Sequence, residues 1–369
     1  MALIKSRFVD YVIFLIAILI FAGCAGKVKD HTQSVAEQAT PTAVTYSDAV
    51  NPSAPGRLTV ETIAFPELTD VSRNLRSIPI KVHVPNEGGP FPVIVISHGA
   101  GGNWDTHYAQ ARHLASHGYA VLCVEHTGSN TQNMMRDAQI WANLIAMIRD
   151  SDEVLGRPPD ISFALDRAED WNASSAKLRG RLDMEHVGVM GHSFGAFTTM
   201  VICGMRPALN WLKPRVEPGT GIGPDLSDRR VDCGVALSPQ GPDEPFFISE
   251  SFDYLKVPLL GISGTNDQQQ GGLPPETRLK AFTLWPAGQN KFIWISNARH
   301  LDFTDSTGSG QFAVPSPTRE DVQTVVRAAT LLFFNAHLKN EVSAQKLITT
   351  GGLKKFVHGS IDSIEVISK

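Results

Sequence analysis

The sequence predicts an α/β fold, with a mostly parallel central sheet and helices on both of its faces. Two dense apolar runs, residues 91–97 and 119–125, flank a stretch of helical character at 105–117 that ends at Gly118. A strand–helix–strand unit with tight, glycine-rich connections is typical of parallel strands. Further strand-like runs continue this pattern at 231–237, 257–263 and 291–296.

The start of the predicted domain differs from this pattern. Residues 58–65 and 78–84 alternate between apolar and polar side chains, which predicts strands with one exposed face. We expect them to form an antiparallel lead-in to the sheet. The 369 residues, 42% of them hydrophobic and 19% charged, are enough for a large core, and no second core is evident. We therefore predict one domain over residues 56–369.

The remaining connections are helical or irregular. Helices are predicted at 137–155, 159–170 and 194–205, and a last helix follows Ser316-Pro317-Thr318 and ends near His337. Residues 206–230 are rich in proline, glycine and charge, and connections of this length are often lids or binding loops.

The first residues resemble a bacterial lipoprotein signal peptide. Lys5 and Arg7 precede an apolar run at 11–21, and small residues then lead to Cys24. We predict a signal peptide at 1–23, lipidation of Cys24 and a flexible tether at 24–55; an uncleaved membrane anchor is the alternative. Both interpretations place the domain at the cell envelope, attached to a membrane and facing the periplasm or the exterior.

The charge argues against one class of partner, and the cysteines and histidines bear on disulfide formation and metal binding. The net charge is −4 without a basic block, so we expect no nucleic-acid partner. Beyond Cys24, Cys203 and Cys233 either form a disulfide or are free buried thiols, and free thiols are our expectation. His113 and His117 lie four residues apart without the glutamate of a zinc motif. We predict a solvated helix face there and no metal site. The oligomeric state stays open.

Residues 187–197 carry the strongest sign of chemistry. A strand-like run leads into Gly191-His192-Ser193-Phe194-Gly195, and a helix-compatible run follows. A strand–turn–helix of this kind is a nucleophile elbow, whose tight turn leaves no room for Cβ atoms at the two glycines. We predict that Ser193 is a nucleophile and that the Phe194 N–H faces a developing oxyanion.

A serine nucleophile needs a base, and the base needs an acid that orients it. In this architecture the acid and then the histidine follow the serine, each beyond the end of a strand. Asp267 follows the run 257–263, and His300 follows the run 291–296. We predict them as acid and base; Asp243 and Asp302 are the rival acids.

A second oxyanion donor is expected after strand 91–97, in the glycine-rich stretch 98–102. We choose the Ala100 N–H, with Gly101 second. His98 and His192 are interpreted as structural neighbours, since hydrogen bonding within the loop and packing beside the serine explain them. Trp104 either walls an acyl pocket or is simple packing.

These motifs resemble the α/β-hydrolase superfamily, and within it the platelet-activating-factor acetylhydrolase and predicted dienelactone hydrolase branch. The resemblance implies an α/β-hydrolase fold and a serine esterase without metal or organic cofactor. It also implies Ser193 as nucleophile, His300 as base, and the Ala100 and Phe194 amides as oxyanion hole. It rests on SHGAGG at 97–102, ARHLASHGY at 111–119, RPPDISF at 157–163, GHSFG at 191–195 and HLDF at 300–303.

Two departures from this branch refine the expectation. The acetylhydrolase has its acid after the strand that here ends at Ser238, so Asp267 takes that role by the resemblance. Dienelactone hydrolases use cysteine as nucleophile, and Ser193 argues against that activity. We expect a small-molecule ester as substrate, with short-chain or phospholipid esters as candidates. The alternatives are a non-catalytic envelope lipoprotein that retains the fold, or a serine peptidase or amidase.

Overall fold

The computed structural model describes residues 51–242, 245–268, 273–305 and 316–369, and within these ranges nine strands form one sheet. The apolar runs of the sequence become its central strands, since a strand covered on both faces buries every side chain. The strands are β1 (Val60–Phe65), β2 (Ile80–Pro85), β3 (Phe91–Ser97), β4 (Ala120–Val124), β5 (Leu182–His192), β6 (Val231–Leu237), β7 (Leu259–Asn266), β8 (Lys291–Arg299) and β9 (Ile364–Ser368).

The sheet order is β1-β2-β4-β3-β5-β6-β7-β8-β9. Strands β3 to β8 are parallel to one another, whereas β2 is antiparallel to both β1 and β4, and β9 is antiparallel to β8. The predicted α/β class, the mostly parallel sheet and the antiparallel lead-in are therefore confirmed. Because β3, β5, β7 and β8 are parallel, the residues that follow them meet at one edge of the sheet.

Helices cover both faces of the sheet. Apolar side chains of α1 and α7 contribute to one buried cluster, while those of α4, α5 and α6 contribute to the other. The helices are α1 (Tyr108–Ser116), α2 (Thr131–Met134), α3 (Ile140–Arg149), α4 (Ser151–Ser174), α5 (Phe194–Ile202), α6 (Glu276–Leu284), α7 (Arg319–Leu338), α8 (Val342–Leu347) and α9 (Thr350–Leu353).

The helices between β4 and β5 differ from the prediction. The predicted helix at 137–155 is interrupted at Asp150, whose carboxylate caps the next helix by accepting from the Asp152 and Glu153 N–H groups. Helix α4 then runs through Pro158 and Pro159, where the sequence predicted a new helix start. Buried side-chain contacts on both sides of the prolines, described below, keep this helix continuous.

Several other elements escaped the sequence analysis or fall outside the described residues. Helix α6 and the edge strand β9 were not predicted. In the irregular segment 206–230, apolar side chains such as Leu209 and Trp211 pack into the core, so much of this loop covers the sheet. The signal peptide, Cys24 and most of the tether lie outside the described residues and stay predictions. None of the described helices has the length and apolar character of a membrane span.

The buried thiols and the two α1 histidines are defined by the structure. Cys123, Cys203 and Cys233 are free and buried, as expected. His113 and His117 do not form a solvated face, and that prediction was wrong. Their rings contact each other at a centroid distance of 4.8 Å, His113 is buried, and His117 Nε2 lies 3.0 Å from the Ala54 carbonyl oxygen. The segment that precedes β1 and includes Ala54 covers this part of α1.

The close packing of α7 on the central strand β5 yields a first prediction. A Cβ at Gly188 would lie 2.6 Å from a ring carbon of the buried Phe334 and 3.1 Å from Leu338. We expect Gly188→Ala to lower the free energy of unfolding by about 1–3 kcal/mol, because the core must shift to accept the methyl group.

Gly351, on α9, is the control for this change, since a Cβ there meets no atom within 4 Å. Gly351→Ala should leave the free energy of unfolding within about 1 kcal/mol of the wild type. Urea denaturation measures both variants. Equal midpoints for Gly188→Ala and the wild type would contradict the packing argument.

Candidate active site

The nucleophile elbow lies between β5, which ends at His192, and α5, which begins at Phe194. Ser193 has φ 55° and ψ −117°, a conformation that costs free energy for a residue with a Cβ and persists only where the surroundings enforce it. A Cβ at Gly191 would overlap the backbone of Gly195, and one at Gly195 would overlap the backbone of Ser97. Both glycines are therefore required by close backbone contacts, as predicted.

The structure brings Ser193, His300 and Asp267 together. Asp267 follows the end of β7, and His300 begins a short 3-10 helix (His300–Phe303) directly after β8. His300 Nε2 lies 3.0 Å from Ser193 Oγ, and His300 Nδ1 lies 2.8 Å from Asp267 Oδ1. Three side chains from three strand ends thus form one hydrogen-bonded chain.

The environment of Asp267 keeps its carboxylate ionised. The side chain is fully buried, yet Ser238 Oγ and Ser263 Oγ each donate to Oδ2 at 2.6 Å, and Arg278 Nε lies 3.1 Å from the same oxygen. Burial alone raises the pKa of this carboxyl. The charges of Arg278 and His300 and the hydrogen bonds outweigh it, so the pKa of Asp267 lies well below its ordinary value. A carboxylate in this state accepts the His300 Nδ1–H and leaves Nε2 free to accept a proton.

Sequence reasoning missed the residues that support Asp267. Arg278 is buried on α6, and besides its ion pair it donates through Nη1 to the carbonyl oxygens of Ser238 and Pro239 at 2.8 Å. Nothing in the sequence marked α6 as a contributor. Ser238 did carry a signal, because it stands where the resembled acetylhydrolase has its acid. In this chain that position supplies a hydrogen bond to Asp267 instead.

Of the two rival acids, Asp302 lies within the described residues and Asp243 does not. Asp302 is buried, but its Oδ2 accepts from the Arg299 N–H at 2.9 Å and from Thr318 Oγ1 at 2.5 Å. It therefore fixes the turn after β8 and does not enter the chain from Ser193 to Asp267. Asp243 lies outside the described residues.

Two backbone N–H groups next to Ser193 are available to a ligand. Phe194 is the first residue of α5, so its N–H has no acceptor within the helix. In the loop after β3, the Gly101 N–H donates to the Ser129 carbonyl oxygen at 2.9 Å, whereas the Ala100 N–H donates to no acceptor among the described residues. Of the two predicted loop donors, Ala100 is the one left free.

His98 and His192 both hold backbone in place. His98 Nδ1 donates to the Gly99 carbonyl oxygen at 2.7 Å, and its Nε2 accepts the His126 N–H at 3.0 Å. His192 Nε2 donates to the His300 carbonyl oxygen at 2.9 Å. Burial first, and then neighbouring charge, holds the pKa of each imidazole well below its ordinary value. Both rings are neutral and structural, in line with the prediction.

A second chain of the same three residue types lies in the interior. Ser97 Oγ is 2.9 Å from His126 Nε2, and His126 Nδ1 is 2.8 Å from Asp160 Oδ2. All three side chains are at most 1% exposed, so no substrate reaches them. Asp160 also pairs with Arg76 at 2.8 Å. The chain is therefore a buried brace, and it was not predicted.

Arg157, from the RPPDISF motif, ties this brace to the elbow. Its fully buried guanidinium donates to Ser129 Oγ at 2.7 Å and Thr198 Oγ1 at 3.0 Å, and also to the His98 carbonyl oxygen. It lies 4.3 Å from the centre of the Phe194 ring. Burial lowers the pKa of Arg157 to about 9, which leaves it protonated at neutral pH. One cation thus contacts both the loop after β3 and helix α5.

An open cleft adjoins His300. A cavity of about 440 Å³ is lined by His300 and by Asn266, Gln268, Arg299, Leu301, Asp302, Ser316 and Arg319. Trp104, on the other side of the loop after β3, packs against the core and lies 4.5 Å beneath Lys81 Nζ, which supports the packing interpretation. Within the described ranges, no three His, Cys, Asp or Glu side chains converge as a metal site requires.

Comparison with protein families gives a match over most of the domain. The model described as "Alpha/beta hydrolase family" matches residues 93–344. This range includes the loop after β3, the elbow, Asp267 and His300. The match therefore covers every part of the hydrogen-bonded site described above.

Individual relatives are more distant. The chain is 28% identical over 230 residues to a Methylorubrum extorquens protein named "Putative carboxymethylenebutenolidase" (62% of this chain, 69% of the relative). It is 26% identical over 257 residues to platelet-activating factor acetylhydrolase of Cavia porcellus (62% and 52%). It is 28% identical over 158 residues to cutinase 2 of Thermobifida cellulosilytica (39% and 51%). The chain thus spans about half the length of the last two.

The contrast between the exposed and the buried serine chains gives a prediction. A fluorophosphonate probe should label Ser193, since this residue is partly exposed and its hydroxyl is hydrogen-bonded to His300. Ser97 has equivalent partners but is buried, and it should stay unlabelled. Peptide mapping by mass spectrometry identifies the modified serine, and Ser193→Ala should abolish labelling. A probe found on another serine, or on none, would contradict the assignment of Ser193 as the reactive serine.

Proposed function

The chain belongs to the alpha/beta hydrolase family, and from that premise we propose that it is a serine hydrolase of carboxylic esters. Ser193 would be the nucleophile, His300 the general base and Asp267 the orienting acid. The Ala100 and Phe194 N–H groups would form the oxyanion hole.

The observation that carries this proposal is the position of His300. Its two ring nitrogens lie 3.0 Å from Ser193 Oγ and 2.8 Å from Asp267 Oδ1. A serine hydroxyl is a poor nucleophile at its free pKa, and a neutral imidazole within hydrogen-bond distance removes its proton as the bond to carbon forms. The ionised Asp267 favours the tautomer with the proton on Nδ1, which is the one that can act as base.

In the proposed reaction the substrate carbonyl carbon lies against Ser193 Oγ. The hydroxyl oxygen adds to this carbon, its proton passes to His300 Nε2, and the carbonyl oxygen becomes an oxyanion next to the two free N–H groups. Collapse of the tetrahedral species breaks the bond to the alcohol oxygen, which takes the proton from His300. The acyl group stays on Ser193.

The second half returns the enzyme to its starting state. Water enters on the side of His300, which faces the open cleft, and gives a proton to Nε2 as it adds to the acyl carbon. Collapse of the second tetrahedral species releases the carboxylic acid and returns the proton to Ser193 Oγ. The charges balance at each step, and Asp267 remains ionised throughout.

The names of the relatives favour esters over amides. They include an acetylhydrolase and a cutinase. We propose short-chain and phospholipid esters as the substrate class on this basis. Amide hydrolysis by the same three residues is the alternative that the experiment below separates.

A paired set of substrates tests the reaction class. We expect measurable hydrolysis of p-nitrophenyl acetate and butyrate, and no detectable hydrolysis of the matched p-nitroanilides. Ser193→Ala should lower the turnover number for the esters by roughly 10⁴-fold or more, with an unchanged circular dichroism spectrum. Faster turnover of the anilides would favour a peptidase. Absence of both activities would favour a non-catalytic protein.

The identity of the acid is tested by one matched pair. Asp267→Asn should lower the turnover number by roughly 10³–10⁴-fold, because an amide at this position no longer favours the reactive tautomer of His300. Asp243→Asn, at the rival position, should stay within about threefold of the wild type. The reverse order of the two effects would transfer the role to Asp243.

A further inference from the structure

The two proposed oxyanion donors belong to two peptide groups, Gly99–Ala100 and Ser193–Phe194, and both are trans. In a trans peptide the C=O and N–H bonds point in opposite directions within one rigid plane. A group that holds the carbonyl oxygen therefore also sets the direction of the N–H. If the proposed function holds, the groups that donate to each carbonyl oxygen therefore influence how the N–H groups bind the oxyanion.

The carbonyl of the Ser193–Phe194 peptide is held by a buried side chain. Gln240 Nε2 donates to the Ser193 carbonyl oxygen at 2.7 Å, and the Phe197 N–H donates to the same oxygen at 3.0 Å. Gln240 is 3% exposed and lies in the segment after β6, so it approaches the elbow from a neighbouring strand end. The helix supplies one of the two bonds, and Gln240 adds the other from outside it.

The carbonyl of the Gly99–Ala100 peptide has the same arrangement. Its oxygen accepts from His98 Nδ1 at 2.7 Å and from the Gly102 N–H at 3.0 Å. Each oxyanion donor is thus opposed, across its own peptide plane, by one buried side-chain donor and one backbone donor. A shared geometry at two unrelated segments indicates a requirement of the site.

The other end of the Gln240 amide shows that this contact has a cost. Gln240 Oε1 is buried and has no hydrogen-bond partner among the described residues. Buried polar atoms without partners are rare, because they lose hydration and gain nothing in return. An apolar side chain of the same length would avoid this loss but could not donate to Ser193. Among the described residues, the bond to the Ser193 carbonyl is the one side-chain hydrogen bond that the amide provides.

We propose that Gln240 is a positioning residue for the oxyanion hole, which orients and polarises the Ser193–Phe194 peptide so that its N–H meets the developing negative charge. A hydrogen bond accepted by a peptide carbonyl strengthens donation by the N–H of the same peptide. The effect grows with the charge on the substrate oxygen. It therefore acts on the transition state more than on the bound ester.

Gln240→Met is the direct test, because methionine has a similar length and no donor. We expect the turnover number per active site, titrated with a fluorophosphonate, to fall about tenfold with KM within about twofold. This loss is smaller than that for deletion of a direct oxyanion donor, since the N–H itself remains. A trifluoromethyl ketone, whose adduct with Ser193 carries an oxyanion, should bind about tenfold more weakly.

Gln110 offers a matched control elsewhere in the core. It is 2% exposed, its Nε2 makes one bond, to Thr330 Oγ1 at 2.6 Å, and its Oε1 is also buried without a partner in the described part of the chain. It lies between α1 and α7 and touches neither oxyanion peptide. Gln110→Met should alter the unfolding temperature but leave turnover per titrated site and ketone binding unchanged.

The outcomes separate this inference from the proposed function. A wild-type protein without ester hydrolysis would remove the proposed function itself. An active wild type with unchanged turnover and ketone binding in Gln240→Met would overturn the inference alone. If Gln240→Met does not fold, Gln240→Leu removes the donor with a shorter apolar side chain. It should lower turnover per titrated site by a similar factor, and wild-type turnover in that variant would equally overturn the proposal.

Discussion

The close contact between the start of α5 and the end of β3 is the constraint on which the site depends. Gly195 lies directly against the Ser97 backbone, so that no side chain fits between them. This contact brings the loop that carries the Ala100 N–H next to the Phe194 N–H. It also holds Ser193 in a conformation that the chain would not adopt alone. In the proposed reaction, these two backbone donors, from segments nearly a hundred residues apart, would face one substrate oxygen.

The buried charges around this contact have partners that compensate for their lost hydration. Arg157 extends from α4 to both sides of it, and its guanidinium has hydroxyl and carbonyl acceptors. Behind it, Asp160 is neutralised by Arg76 and orders the ring of His126. On the far side of the serine, Arg278 pairs with Asp267. A buried ion is stable only when partners compensate for its lost hydration, so each of these charges fixes the position of its neighbours.

Prediction from sequence succeeded where local patterns decide the outcome. The apolar runs gave the parallel strands, and the glycine spacing gave the elbow. Asp267 and His300 were proposed because each follows a late strand, and in the structure His300 lies within hydrogen-bond distance of both Ser193 and Asp267. Prediction failed where distant contacts override local preference. Proline indicates a helix start, yet α4 continues through two prolines because its buried side chains are held by other segments. The solvated face expected for His113 is instead covered by the segment that precedes β1.

Spacing along the chain was sufficient to predict the class of fold, the chain order of Ser193, Asp267 and His300, and the loop proposed to carry the second oxyanion donor. These features depend on spacing along the chain, which periodicity and turn chemistry report directly. The folded chain was needed to see which amides have no acceptor among the described residues, which carboxylate contacts His300 and which groups surround them. The Gly101 N–H donates to the Ser129 carbonyl oxygen, which leaves the Ala100 N–H as the candidate donor. Gln240 was identified by its hydrogen bond to the Ser193 carbonyl oxygen. Such choices depend on distances of a few ångströms between remote segments, and no local pattern encodes them.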